Sequence, residues 1–179
     1  MKSQTILRHC LGYCVGFAVF LAGIPCGLWT IAAKLDRQLP VELISDVRVR
    51  LGLSLVLGLL GIVFVVWSNL YLFLVGRGGP ADGFGVALSP RSRVLVTTGP
   101  YRHTRNPMVF GALTGYCAIA VYLNSLVALA AVAAFAVLAT LNIRLLEERR
   151  LARDFGASFE QYRRDVPRFV PLPRGRSRR

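Results

Sequence analysis

The chain has 179 residues, of which 54% are hydrophobic, and its formal net charge is +13. A mean hydropathy of +0.52 is too apolar for an ordinary soluble domain of this length. The composition therefore excludes a soluble globular protein and indicates a membrane protein. We interpret the arginine-rich C-terminal end as a contact with anionic lipid headgroups and not with nucleic acid.

Four apolar stretches predict membrane-spanning helices, since a span needs roughly 20 mostly apolar residues. Three are long enough, at about 11–33, 51–75 and 125–146, and a shorter one, 108–123, has no charged residue. The first stretch could be read as a cleaved signal peptide, but it continues past any plausible cleavage site, so a retained helix is expected. The predicted fold class is all-α, a polytopic membrane bundle of about four transmembrane helices.

Lysine and arginine are distributed unevenly around these stretches. Two precede the first stretch, four lie in 34–50, five lie in 76–106, none lies in the turn VYLNS, and eleven follow from residue 144 onward. By the positive-inside rule, the N-terminus, the 76–106 loop and the C-terminus are cytoplasmic and the 123–125 turn is outside. The connector 34–50 then also lies outside, in mild conflict with its basic residues. An arginine- and alanine-rich composition is typical of high-GC bacterial genomes, so the expected location is a bacterial inner membrane.

Three parts of the chain are predicted. Residues 1–50 form an N-terminal transmembrane helix and its connector, 51–173 form a core of three transmembrane helices with a cytoplasmic C-terminal segment, and 174–179 form a basic tail. In the core, the run VLVTT is more typical of an extended loop arm than of a sheet.

The composition changes after residue 146 to a mixture of charged and aromatic residues. Leu151, Phe155, Phe159 and Tyr162 are spaced by four, four and three residues, which predicts one apolar stripe on a helix. Gly156 is expected to divide it into two helices. The stripe would lie on the membrane surface or cap the cytoplasmic mouth of the bundle; a solvated amphipathic tail is the alternative.

Few polar residues interrupt the spans. Asn69 and Asn142 are expected either to join helices by hydrogen bonds or to line a site, because polar groups in a membrane rarely face lipid. The cysteines sit in apolar segments without the spacing of metal ligands, so neither a metal site nor a disulfide framework is assigned: Cys10, Cys14, Cys26 and Cys117.

Polar residues are concentrated in the stretch TTGPYRHTRNPMVFG, at the entrance of the third span. Pro107 suits the first turn of a helix, and Asn106 is a natural N-cap. The free N–H groups and positive dipole end of that helix, with Arg102 and Arg105 beside it, predict an anion site for a carboxylate or a phosphate.

The fourth span ends on the same side with Arg144, Glu147 and Glu148. Because VYLNS is short, the last two spans form an antiparallel hairpin that brings this carboxylate pair to the anion site. Together they would suit a ligand with a carboxylate, an amine and a ribose. The alternative is structural, since arginine and glutamate at a membrane boundary commonly snorkel or pair with each other.

GPYRHTRNPMVFG, followed about 30 residues later by RLLEERRLARDFGASFEQYRRDVPRFVP, resembles the isoprenylcysteine carboxyl methyltransferase and phospholipid methyltransferase superfamily. The resemblance covers about residues 50–173. The first pattern is matched by Gly99, Pro100, Tyr101, Arg102, Arg105, Asn106, Pro107 and Gly111. The second is matched by Arg144, Glu147, Glu148, Leu151, Phe155, Gly156, Tyr162, Val166, Pro167, Arg168 and Pro171.

The resemblance implies an integral-membrane, S-adenosylmethionine-dependent methyltransferase acting on a lipidic or small hydrophobic acceptor. Its cofactor pocket would lie between the last two spans and be closed by the C-terminal segment. Glu147 and Glu148 would hold the aminoacyl end of the cofactor, and Arg105 and Arg144 would act as catalytic residues that orient the acceptor or the methionine carboxylate. The rest of the cofactor would be held by Tyr101, Arg102, His103, Asn106, Pro107, Met108 and Gly111.

Methyl transfer from a sulfonium mainly requires alignment of donor and acceptor and exclusion of water. A carboxylate acceptor needs no base, whereas an amine acceptor must lose a proton, to Glu148 or His103. His103 could equally be a surface residue. Val109 and Phe159 stand where the family commonly has tyrosine, which weakens the inferred contacts with adenosine or acceptor.

Two competing functions remain open at this point. A sterol-reductase-like membrane enzyme shares a similar Arg-x-x-Pro entrance but uses NADPH. Its members often have glutamate after the final glycine, where this chain has Ala112. A non-catalytic membrane protein that retains the fold is the other. Cofactor binding separates all three.

Overall fold

A computed structural model describes residues 14–38, 41–76 and 94–171, together with the backbone of 82–83 and 86–87. Its elements are a π-helical turn Phe17–Gly23, α1 (Ile24–Leu35), α2 (Val47–Leu74), β1 (Asp82–Gly83), β2 (Val86–Ala87), a 3₁₀ turn Gly99–Arg102, α3 (Pro107–Tyr122), α4 (Leu126–Asn142), a π-helical turn Ile143–Glu147, α5 (Glu148–Phe155) and α6 (Ala157–Asp165). Apart from one antiparallel pairing of β1 with β2, the described elements are helical, which confirms the all-α fold class.

Three continuous helices are long and apolar enough to cross a membrane: Cys14–Leu35, Val47–Leu74 and Leu126–Phe155. The fourth predicted span is the shorter apolar helix Pro107–Tyr122. About four transmembrane helices is therefore compatible with the fold. The second span begins four residues before its expected start, because Asp46 accepts hydrogen bonds from the N–H groups of Arg48 (2.8 Å) and Val49 (3.1 Å) and so caps α2.

Helices α2 and α3 make the most extensive contact in the bundle, and glycines bring them together. A Cβ atom built on Gly61 would lie 2.7 Å from the carbonyl oxygen of Gly111 and 2.8 Å from the backbone nitrogen of Gly115. Close approach of backbones at small residues is a common way to pack helices in membranes. The contact fixes where α3 begins relative to α2.

Helices α1, α3 and α4 share a second apolar cluster. Tyr116 is buried there, its ring 5.8 Å from that of Phe135 in an edge-to-face arrangement, and its hydroxyl donates to the carbonyl of Phe20 at 2.8 Å. The other buried members are Leu28, Ala32, Ala120, Ala128 and Val132. The N-terminal helix is thus packed on the α3–α4 hairpin.

The turn between α3 and α4 is fastened to the connector that precedes α2. Ser125 caps α4 by accepting from the N–H of Ala128 (2.9 Å), and its hydroxyl donates to Asp36 (2.8 Å). The side-chain oxygen of Asn124 accepts from the N–H groups of Leu43 and Ile44 at 3.0 and 2.9 Å. These bonds close the end of the bundle away from the charged segment.

At the opposite end, the long helix from α4 continues through the π-helical turn into α5. The N–H of Glu148 donates to the carbonyl of Ile143, five residues back. Gly156, with φ 52°, then separates α5 from α6, as the sequence predicted.

The predicted apolar stripe faces inward. Phe159 is 1% exposed and Tyr162 is 8% exposed, and Leu151 and Phe155 pack against them. Leu95, from the extended arm VLVTT, joins the same cluster. The solvated-tail alternative is therefore wrong, and α6 packs against the loop that enters α3.

Candidate functional site

The loop that leads into α3, residues 99–106, is called the entrance loop here. It begins with a glycine that no other residue could replace without strain. Gly99 has φ 60°, a conformation that residues with a Cβ rarely adopt, and a Cβ there would lie 2.4 Å from the ring of Tyr71. The following 3₁₀ turn buries Pro100 and directs the backbone toward α6. There the hydroxyl of Tyr162 donates to the carbonyl of Tyr101 at 2.7 Å.

The residues that follow α6 form hydrogen bonds with the same loop. The carbonyl of Arg168 accepts from the hydroxyl of Thr104 (2.9 Å), the backbone N–H of Asn106 (3.2 Å) and the side-chain amide of Asn106 (3.1 Å). The N–H of Arg105 donates to the carbonyl of Pro167 at 2.9 Å. Loop and C-terminal segment are therefore joined backbone to backbone.

Asn106 occupies the N-cap position of α3, with Pro107 at the first helical position as predicted. The prediction that its side chain caps the helix is wrong, because the side chain makes no capping hydrogen bond. Its amide group instead donates to the carbonyl of Arg168. The N-terminus of α3 is consequently a junction with the C-terminal segment as well as a helix entrance.

Glu148 is the centre of a charged cluster at this junction. Its Oε1 accepts from Arg105 Nη1 at 2.7 Å and from Arg168 Nε at 3.0 Å, and its Oε2 accepts from Arg168 Nη2 at 3.0 Å. Side-chain exposure is 10% for Glu148, 10% for Arg105 and 24% for Arg168. The structural alternative, in which the arginines and glutamates pair with each other, is realised for Glu148.

A cavity of about 20 Å³ lies beside this cluster, which is room for about one water molecule. It is lined by Arg105, Asn106, Ile143, Glu147, Glu148, Leu151, Phe159 and Tyr162. The structure thus brings the predicted glutamate pair and two residues of the predicted anion site to one place, as the hairpin argument required.

Burial governs ionisation in the entrance loop. Desolvation raises the pKa of the Tyr101 phenol far above its ordinary value, and the negative charge of Glu147 raises it further, so Tyr101 is a neutral donor. Desolvation lowers the pKa of the Arg105 guanidinium, and the charge of Glu148 opposes the effect. Arg105 stays charged, because an arginine guanidinium is effectively always protonated in proteins.

Several predicted site residues lie outside the cavity lining. Arg102 and Arg144 are exposed. His103 is partly buried, with its ring centroid 6.5 Å from that of Trp67. Gly111 is part of the glycine contact between α2 and α3. Pro107 and Met108 form the first turn of α3, behind Asn106; the roles of all these residues stay predictions.

Sequence reasoning missed Arg168 as a site residue. Its place in the regular sequence VPRFVP was visible, but no local pattern indicates that a residue 20 positions after Glu148 returns to it. Thr104, fully buried and bonded to the Arg168 carbonyl, was missed for the same reason.

Apolar spans that end at a charged, partly buried site define an integral-membrane helical protein with its candidate site at one end of the bundle. A family model described as phospholipid methyltransferase matches residues 47–158. The match covers α2 to α5 and the start of α6, and the chain belongs to the phospholipid methyltransferase family. Comparisons with curated proteins and with solved structures found no match. Family membership makes this chain a methyltransferase-like membrane protein, in agreement with the resemblance noted in the sequence.

Proposed function

We propose that the protein is an S-adenosylmethionine-dependent methyltransferase that acts on a lipidic or small hydrophobic acceptor at the membrane interface. The observation that carries the proposal is the meeting of Arg105, Asn106 and the adjacent Glu147 and Glu148 at one cavity, in a chain of the phospholipid methyltransferase family. The acceptor would enter sideways from the bilayer, and the 76–106 loop and the C-terminus would face the cytoplasm of a bacterial inner membrane.

The residues at the cavity fit the polar end of such a cofactor in kind. A carboxylate at the cavity suits an ammonium group, and a guanidinium suits a carboxylate. The cavity of about 20 Å³ has room for about one water molecule and not for a nucleoside, so the site would have to open on binding. A shift of the C-terminal segment away from the end of α4 is the movement that we propose. The neutral phenol of Tyr101 and the side chains of the entrance loop would hold the remaining polar groups.

The chemistry that the bound cofactor supplies is an activated methyl group on a sulfonium. The protein then has to align the acceptor in line with that methyl group and exclude water. Phe159 and Tyr162 close the site on the α6 side, and Ile143 and Leu151 supply apolar walls. Arg105, and Arg144 after rearrangement, would orient a negatively charged group of the acceptor or of the cofactor.

An amine acceptor would additionally need a base. Glu148 is poorly suited, because its carboxylate oxygens already accept three hydrogen bonds from Arg105 and Arg168 and have little capacity left to accept from an amine. His103 then becomes the candidate base for an amine, whereas a carboxylate acceptor would need none.

Calorimetric titration of the detergent-purified protein with S-adenosylmethionine, in parallel with NADPH, tests the proposal. Micromolar binding of S-adenosylmethionine alone is the expected result. Binding of NADPH alone would favour a sterol-reductase-like enzyme. If a folded sample bound neither compound, the proposal would be wrong and the chain would be a non-catalytic member of its family, consistent with Val109 and Phe159 in place of tyrosines.

A further inference from the structure

The two adjacent glutamates have different surroundings. Glu148 is buried and its carboxylate accepts three hydrogen bonds from Arg105 and Arg168. Glu147 lines the same cavity, yet no hydrogen bond to its carboxylate is found among the described residues. A carboxylate has about four positions at which it can accept a hydrogen bond. Glu148 therefore has little acceptor capacity left for a ligand, whereas the acceptor positions of Glu147 are not used by the described residues.

Arg168 connects the C-terminal segment to two elements at once. Its guanidinium binds Glu148 with the two-pronged geometry that arginine makes with carboxylates, at 3.0 Å for each bond. Its carbonyl accepts from Thr104 and Asn106 in the entrance loop. Loss of the guanidinium would leave Glu148 with one partner and release the segment from α5.

We infer that Arg168 is a positioning residue that fastens the C-terminal segment to Glu148 and the entrance loop, and that, of the two glutamates which the family resemblance assigns to the cofactor, Glu147 is the one that meets it directly. The inference about Glu147 rests on the proposed function; the inference about Arg168 does not. Glu148 works inside the protein, holding Arg105 and Arg168 in place, and the two glutamates of the pair are not interchangeable.

Amide hydrogen exchange of the ligand-free, full-length protein in detergent tests the role of Arg168. The reporters are the N–H groups of Arg105 and Asn106, which donate to Pro167 and Arg168. In Arg168→Ala these amides should exchange at least about tenfold faster, because bonds between charged groups are among the stronger ones. Arg168→Lys keeps the charge without the two-pronged contact and should be intermediate.

Arg164→Ala is the matched control. Arg164 is an exposed arginine of α6 whose Nε donates to the carbonyl of Glu160 at 3.4 Å, its one contact of this kind among the described residues. Exchange in this variant should equal that of the wild type. Glu148→Gln should exchange faster, and adding Arg168→Ala to it should have little further effect, because both changes remove one contact. Wild-type exchange rates in Arg168→Ala would overturn the inference.

Titration with S-adenosylmethionine separates the glutamates. Glu147→Gln should weaken binding at least about tenfold with unchanged exchange, since a neutral amide loses the charge-assisted bond. Glu148→Gln should weaken binding only together with faster exchange. Wild-type affinity in Glu147→Gln would overturn its assignment. If the wild type itself did not bind S-adenosylmethionine, the proposed function and the assignment of Glu147 would fail, and the exchange comparison alone would decide on Arg168.

Discussion

Replacement of Gly61 by alanine tests how closely α2 and α3 must approach. The new Cβ would lie 2.7 Å from the carbonyl oxygen of Gly111 and 2.8 Å from the nitrogen of Gly115, and both atoms belong to the backbone of a helix. An ordinary contact begins at 3.4 Å, so the helices would have to separate by about 0.7 Å. Overpacking of this kind costs about 1–3 kcal/mol.

Gly115→Ala is the matched control, because a Cβ there would meet nothing within 4 Å although Gly115 lies in the same contact. Both variants gain the same helix propensity, about 1 kcal/mol, which cancels in the comparison. Thermal unfolding in detergent should therefore show Gly61→Ala melting roughly 2–12 °C below Gly115→Ala.

Separation of α2 and α3 in Gly61→Ala should also alter the contacts at the candidate site. Arg105 lies just before α3, so displacement of that helix would lengthen the 2.7 Å contact between Arg105 and Glu148. Faster amide exchange in the entrance loop of Gly61→Ala, absent in Gly115→Ala, is the expected sign. Equal melting temperatures for the two variants would refute the claim that this contact cannot accommodate a methyl group.

Three further predictions concern single residues. Gly99→Ala should melt lower than the wild type, even when Tyr71→Ala removes the clash, because the φ of 60° is still unfavourable for alanine; full recovery in the double variant would contradict this account. Ser125→Ala should cost about 1 kcal/mol through loss of the α4 cap, measured by thermal unfolding, and an unchanged melting temperature would show that water replaces the hydroxyl. A single cysteine at the exposed Tyr122, beside the 123–125 turn, should react with an impermeant reagent from the periplasmic side of intact cells; reaction only in inverted vesicles would reverse the topology.

The helices could be predicted because hydropathy and the prolines and glycines that begin or end helices are local signals. The long apolar runs, Pro107 at a helix start and Gly156 at a helix break all appear in the structure. The start of α2 was placed late because the cap at Asp46 precedes two arginines, which a hydropathy pattern treats as outside the span.

The composition of the site could be predicted in part. The turn that connects the last two spans is short, so their charged ends lie side by side. This places Arg105 and Asn106 next to the two glutamates. Which carboxylate takes which partner depends on the path of the chain after Gly156, and no periodicity encodes that path. For this reason the sequence assigned both Glu147 and Glu148 to the cofactor, and only the structure shows that Glu148 is the one bound by Arg105 and Arg168.

The π-helical turn Ile143–Glu147 places one extra residue between the apolar part of the last span and Glu148. A π-helical turn holds about one residue more than an α-helical turn, and each residue of an α-helix turns it by about 100°. Deletion of one residue from this turn would let α4 run into α5 as an unbroken α-helix. Because the π-helical turn and the α-helical turn that replaces it each complete about one rotation, Glu148 would keep nearly its present direction toward Arg105 and Arg168. Deletion of one residue from the α-helical part of α4 would instead rotate Glu148 by about 100° away from these arginines. The π-helical turn is therefore the position at which this helix tolerates a change in length without losing its contacts with the arginines.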